Sequence, residues 1–81
     1  MTREATNESV QKVIFDGLEE VGAEPAEITR TASFEELDVD SLDVVELAQI
    51  VEDEFGVRLE GEDMKGLERV DQVIDLVVAR A

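Results

Sequence analysis

The chain has 81 residues, with 22 Asp and Glu against seven Lys and Arg, no His, no Cys and a formal charge of -15 at pH 7. That balance argues against nucleic acid, whose phosphates recruit Lys and Arg, and against anionic membrane surfaces; it favours partners with basic patches, met through salt-sensitive steering. With no Cys there is no disulfide framework, and no run approaches the roughly 20 apolar residues of a membrane span.

Met1-Thr2-Arg3-Glu4 leads into a polar segment rather than a signal peptide, so the expected compartment is the cytoplasm. A chain of this size reads as one domain over 1–81, and 43% hydrophobic content is enough for a modest core. Val10, Val13, Ile14, Leu18 and Val21 follow helical spacing and predict a first helix over about 7–21, with Gly22 as its stop. A long loop over 22–40 follows. It holds the only proline, Pro25, with a short helical turn expected near Pro25 to Ile28, and Ile28, Phe34 and Leu37 are its expected anchors over the core.

A second helix is expected over about 41–55, capped by a side-chain oxygen of Asp40 or Ser41 and stopped at Gly56. A short helix over about 62–67 lies between Gly61 and Gly66. A last helix over about 70–79 puts Val70, Val73, Ile74 and Val77 on one face. The fold class is therefore all-α: a small bundle of three main helices plus one short helix.

At about 100° per residue, Leu47, Val51, Val44 and Phe55 fall on one side of the second helix, with Ile50 at the margin; that side is core. The other side carries Leu42, Val45, Glu46, Gln49, Glu52 and Asp53. Between Thr31 and Val57 there is no Lys or Arg, while nine residues are acidic, so the segment repels itself and has no local ion pairs. A solvated face explains the carboxylates alone. Two aliphatic side chains set among them are what a docking patch presents.

Ser41 lies in Asp40-Ser41-Leu42-Asp43, where a serine before a helix is ordinarily just a cap. As a nucleophile it has no imidazole, thiol or cluster of amines nearby to activate it, so any chemistry at Ser41 needs another protein. An EF-hand is excluded, because the further oxygen ligands, central glycine and terminal glutamate at fixed spacing are missing. No metal cluster or phosphate loop is present in the sequence either, and the chain does not read as an enzyme.

The ordered set of these features closely resembles the acyl carrier proteins of fatty acid and polyketide biosynthesis. It includes the first helix, the loop with Ser33-Phe34-Glu35-Glu36-Leu37, the word Asp40-Ser41-Leu42, the helix ending Glu52-Asp53-Glu54-Phe55-Gly56, and the last helix with Val70, Ile74 and Asp75. The resemblance implies that Ser41 would carry a 4'-phosphopantetheine arm, transferred from coenzyme A by a separate Mg-dependent phosphopantetheinyl transferase. The arm's thiol would hold acyl groups as thioesters. It further implies a monomer whose recognition surface is Asp40, Leu42, Asp43, Val45, Glu46, Gln49, Glu52 and Asp53, met by basic patches on the transferase, ketosynthases, reductases and acyltransferases. A phosphodiester at Ser41 would gain from the helix N-terminus but be repelled by Asp38, Asp40 and Asp43, so the arm is expected to project into solvent.

Three positions depart from the family's pattern. Gln49 replaces a common methionine or other apolar residue, and Asp38 a frequent glycine. Arg69 stands where Thr or Ser often caps the last helix, leaving that end to fray or to be capped by another group. Two alternatives stay open: a peptidyl or aminoacyl carrier, and an acidic interaction module without a prosthetic group.

Overall fold

A computed structural model describes residues 4–81; Met1 to Arg3 of the polar N-terminal segment lie outside the described residues. Four helices follow in chain order: α1 (Asn7–Glu20), α2 (Ser41–Phe55), α3 (Gly61–Lys65) and α4 (Val70–Arg80). A 3-10 turn at Pro25–Glu27 interrupts the long loop where the proline sets it up.

The start of α1 is fixed by a capping box that the apolar periodicity does not reveal. Thr6 Oγ1 accepts from the Ser9 N–H at 3.1 Å, and Ser9 Oγ accepts from the Thr6 N–H at 2.9 Å. At its end the chain turns through Gly22 at φ 106°, a conformation that costs glycine little, and the Ala23 N–H bonds the Leu18 carbonyl at 2.9 Å. Gly56, at φ 71°, is itself the C-cap of α2, and its N–H bonds the Glu52 carbonyl at 2.8 Å.

The core is aliphatic. Val10, Ile14 and Leu18 of α1, Leu47, Val51 and Phe55 of α2, and Val70, Ile74 and Val77 of α4 are buried together, and α1 packs on both longer partners. Ile28, Phe34 and Leu37 are buried as the loop's anchors, joined by Ala23 and Ala32. Val44 and Ile50 are only half-buried and pack at the edge of the core. Where α1 crosses α2, Gly17 lets the helices approach closely. A Cβ there would stand 2.7 Å from Leu47 Cδ1 and 3.3 Å from Ile50 Cδ1, nearer than packed carbons tolerate.

The start of the last helix is capped by the long loop and by Gln72 rather than by a Thr or Ser. The long loop runs past its start and supplies acceptors: the Val70 N–H bonds the Ala32 carbonyl at 3.0 Å and the Asp71 N–H bonds the Arg30 carbonyl at 2.8 Å. In return, the Phe34 N–H bonds the Glu68 carbonyl at 3.0 Å, which makes the isolated Ser33–Arg69 bridge. Gln72 Oε1 reaches back to the N–H groups of Glu68 and Arg69, at 2.7 and 3.0 Å. Loop and helix thus satisfy each other's backbone, and the Val39 N–H bonds the Phe34 carbonyl at 3.0 Å, so Phe34 is held at both its N–H and its carbonyl.

The short helix starts and stops slightly earlier than its glycine boundaries predict. Asp63 Oδ2 accepts from the Glu60 N–H at 2.9 Å, which sets the first turn at Gly61. Arg80, in the last turn of α4, grips the same carboxylate with both terminal nitrogens; Nη1 lies 2.7 Å from Oδ2. These bonds hold the Asp63 carboxyl below the usual carboxylate range, the Glu60 N–H contributing most and Arg80 next.

Candidate functional site

Three elements meet at the start of α2. The chain enters from the long loop through Asp38, whose φ of 58° makes it the one described non-glycine residue in the left-handed region. This strained turn sits at the position where the resemblance seen in the sequence implies a frequent glycine. Asp suits it better than most side chains, since its short polar group tolerates that conformation.

Asp40 is the N-cap. Its Oδ1 accepts from the Asp43 N–H at 3.0 Å, while Asp43 Oδ2 accepts from the Asp40 N–H at 3.3 Å. Of the two expected caps, therefore, Asp40 serves and Ser41 does not. Ser41 is the first helical residue, it is exposed, and its hydroxyl makes no hydrogen bond among the described residues. Its reading as a cap is thereby removed. The N–H groups of Ser41 and Leu42 also have no acceptor among the described residues, so they and the helix dipole make this end favourable for an anion.

Ser41 opens onto a groove of about 380 Å³ between α2, the long loop and the segment after α3. Its walls are mainly apolar, from Phe34, Val39, Val44 and Leu67, and Lys65 of α3 lines it too. The periodicity of α2 places Val44 in the core but does not reveal this groove, because Phe34, Val39 and Leu67 come from segments without regular spacing. The sequence signal that could have found them is the presence of single apolar residues in otherwise polar loops on both sides of α2.

The face of α2 assigned to recognition is open to solvent. Leu42 is 74% exposed and Val45 43%, the two large apolar side chains that the core leaves out among the described residues. Asp40, Glu46, Gln49, Glu52 and Asp53 are exposed around them. Asp43 differs: it is half-buried and its carboxylate is engaged at the cap. Farther along, Glu20 and Val21 from the end of α1 border a cleft of about 300 Å³ with Glu46, Gln49 and Asp53. Sequence spacing along one helix does not show that α1 extends the acidic face. Among the described residues no three acidic side chains converge as a metal-holding group.

Comparison with known proteins gives the family. Residues 17–77 match the family model described as the phosphopantetheine attachment site. The chain is 43% identical over 72 residues to the meromycolate extension acyl carrier protein of Mycolicibacterium smegmatis, covering 86% of this chain and 73% of that protein. With the protein of the same name from Mycobacterium tuberculosis it shares 45% over 71 residues, 85% of this chain and 62% of that one. The acyl carrier protein of Thermobifida fusca is 40% identical over 73 residues, 83% of this chain and 92% of its own length. The chain belongs to the acyl carrier proteins, which hold acyl groups on 4'-phosphopantetheine for partner enzymes and are not themselves catalysts.

Proposed function

We propose that Ser41 carries the 4'-phosphopantetheine and that the chain delivers acyl thioesters to fatty acid or polyketide-type assembly enzymes. The observation that carries this reading is the division of labour at the head of α2. Asp40 and Asp43 cap the helix, and Ser41 is left exposed and unbonded among the described residues at the mouth of an apolar groove.

The residues fit the group. In the transfer, Ser41 Oγ forms a bond to the β-phosphorus of coenzyme A while the pyrophosphate P–O bond breaks. Adenosine 3',5'-bisphosphate leaves, and the hydroxyl proton passes to a base on the transferase, since this chain has no His and no Cys. The free N–H groups and dipole at the start of α2 favour the new phosphodiester by about 0.3–1 kcal/mol. Phe34, Val39, Val44 and Leu67 give the apolar part of the arm or its cargo a surface out of water. When bound, the arm supplies the thiol that the sequence lacks.

The exposed face of Asp40, Leu42, Val45, Glu46, Gln49, Glu52 and Asp53, with Asp43 beside the cap, is the docking surface for basic patches on the transferase, ketosynthases, reductases and acyltransferases. The names of the mycobacterial relatives, meromycolate extension acyl carrier proteins, point to acyl-chain extension as the pathway type. Intact-mass analysis of the protein purified from growing native cells tests the reading. Phosphopantetheine, with acyl groups released by hydroxylamine, is expected; protein wholly without the arm contradicts it.

A further inference from the structure

Apart from Lys65, each described cation already has a partner. Lys12 pairs with Asp16 at 3.9 Å, Arg58 with Glu60 at 3.4 Å and Arg69 with Asp71 at 3.3 Å, and Arg80 grips Asp63. Arg30 donates to Gln11 Oε1 at 2.8 Å. Lys65 is exposed and has no ion pair or hydrogen-bond partner among the described residues, although the chain is strongly acidic. It is also the cation that lines the groove onto which Ser41 opens, next to a stretch that has no Lys or Arg between Thr31 and Val57. An unpaired lysine in such a surplus of carboxylate is out of keeping with the other cations.

We propose that Lys65 is the counter-ion of the phosphodiester on Ser41 and a positioning residue for the arm; this rests on the reading of Ser41 as the attachment site. The phosphate is tethered to the groove's own rim, so meeting Lys65 costs none of the translational freedom that a free anion would lose. A lysine ammonium acts on a phosphate as a point charge on a flexible stem, so the pairing needs no fixed geometry. Asp38, Asp40 and Asp43 push the phosphate away from the helix entry, and Lys65 draws it toward α3. The two effects together bias the arm along the apolar groove rather than straight out into solvent.

Because the pair is exposed, the bias is reversible. Pairs of this kind correspond to about a 1.4- to 5-fold change in the ratio of docked to free arm, screened by salt. A carrier needs an arm that rests near its own surface and is easily withdrawn by a partner enzyme.

Phosphorus NMR of the holo protein, made with coenzyme A and a transferase, tests the assignment at low and high salt. Lys65→Gln is expected to shift the phosphodiester resonance at low salt, and Lys65→Arg to leave it near wild type. Salt should move the wild-type resonance toward the Lys65→Gln position. Lys12→Gln, which makes the same charge change on α1, should leave it in place. A Lys65→Gln resonance superimposed on wild type, or an equal shift in Lys12→Gln, overturns the role of Lys65 while attachment at Ser41 stands. Absence of any phosphodiester resonance from protein treated with an active transferase overturns the attachment reading as well.

Discussion

Asp40 and Asp43 cap α2 reciprocally, each carboxylate accepting the other's backbone N–H, at 3.0 and 3.3 Å. Both carboxylates are thereby held within one turn of Ser41, and the hydroxyl between them is left without a structural task. The same two residues thus stabilise the helix and set the charge around the site. Structure and recognition can be separated by substitutions that preserve one and remove the other.

Asp40→Ala is expected to lower unfolding free energy by about 1 kcal/mol, the usual worth of an N-cap, whereas Asp40→Asn should stay within a few tenths of wild type because asparagine caps equally well. Urea denaturation followed by far-UV circular dichroism measures both. Asp40→Asn should nevertheless slow modification by a basic transferase, since it keeps the cap and removes the charge.

Asp38 occupies φ 58° immediately before this turn. Asp38→Gly is expected to gain up to about 1 kcal/mol by removing the left-handed penalty, partly offset by glycine's greater unfolded-state freedom. Asp38→Val should lose at least about 1 kcal/mol, because a β-branched residue is poorly accommodated there. The same denaturation experiment ranks the three chains.

The exposed carboxylates of α2 act at a distance. Replacing Glu46 and Asp53 together with Lys should cut the association rate with a basic partner enzyme about tenfold or more at low salt and flatten its dependence on ionic strength, with helicity unchanged. Stopped-flow association across a salt series reads this directly. Rates that keep their wild-type salt slope would mean that the face is merely solvated.

Acid stability should report the Asp63 anchor of α3. Its carboxyl is held below the ordinary value of 3.8 by the Glu60 N–H and Arg80, so its contribution to stability is present above that value and is lost as pH falls through the lower folded value. Asp63→Asn is therefore expected to flatten the fall in stability below about pH 4. Arg80→Gln should do so less, because the backbone hydrogen bond is the larger cause. Denaturation midpoints from pH 6 to pH 2.5 check the order.

Much of this architecture is legible in the sequence because it follows from local rules. Helical spacing places Val10, Ile14, Leu47, Val51, Val70 and Ile74 in the core, and Gly22 and Gly56 mark the ends of the first two helices. The exposed aliphatic pair Leu42 and Val45 is likewise evident from the angular position of each on α2. What the sequence hides depends on tertiary placement. The carbonyls of Arg30 and Ala32 that cap α4 belong to the backbone and leave no trace in side-chain pattern. The start of α3 at Gly61 is set by Asp63, not by the glycines alone. Lys65 looks like any surface lysine until every other described cation has been given its partner.

Whether Ser41 carries the arm is decided by the intact mass of purified chain after incubation with coenzyme A, Mg²⁺ and a broad-specificity phosphopantetheinyl transferase. Wild type is expected to gain the mass of one phosphopantetheine, mapped by fragmentation to Ser41, and folded Ser41→Ala to gain none. A wild-type chain left unmodified while a control carrier is converted, or a Ser41→Ala chain that still takes up the arm, would mean that Ser41 is not the attachment point.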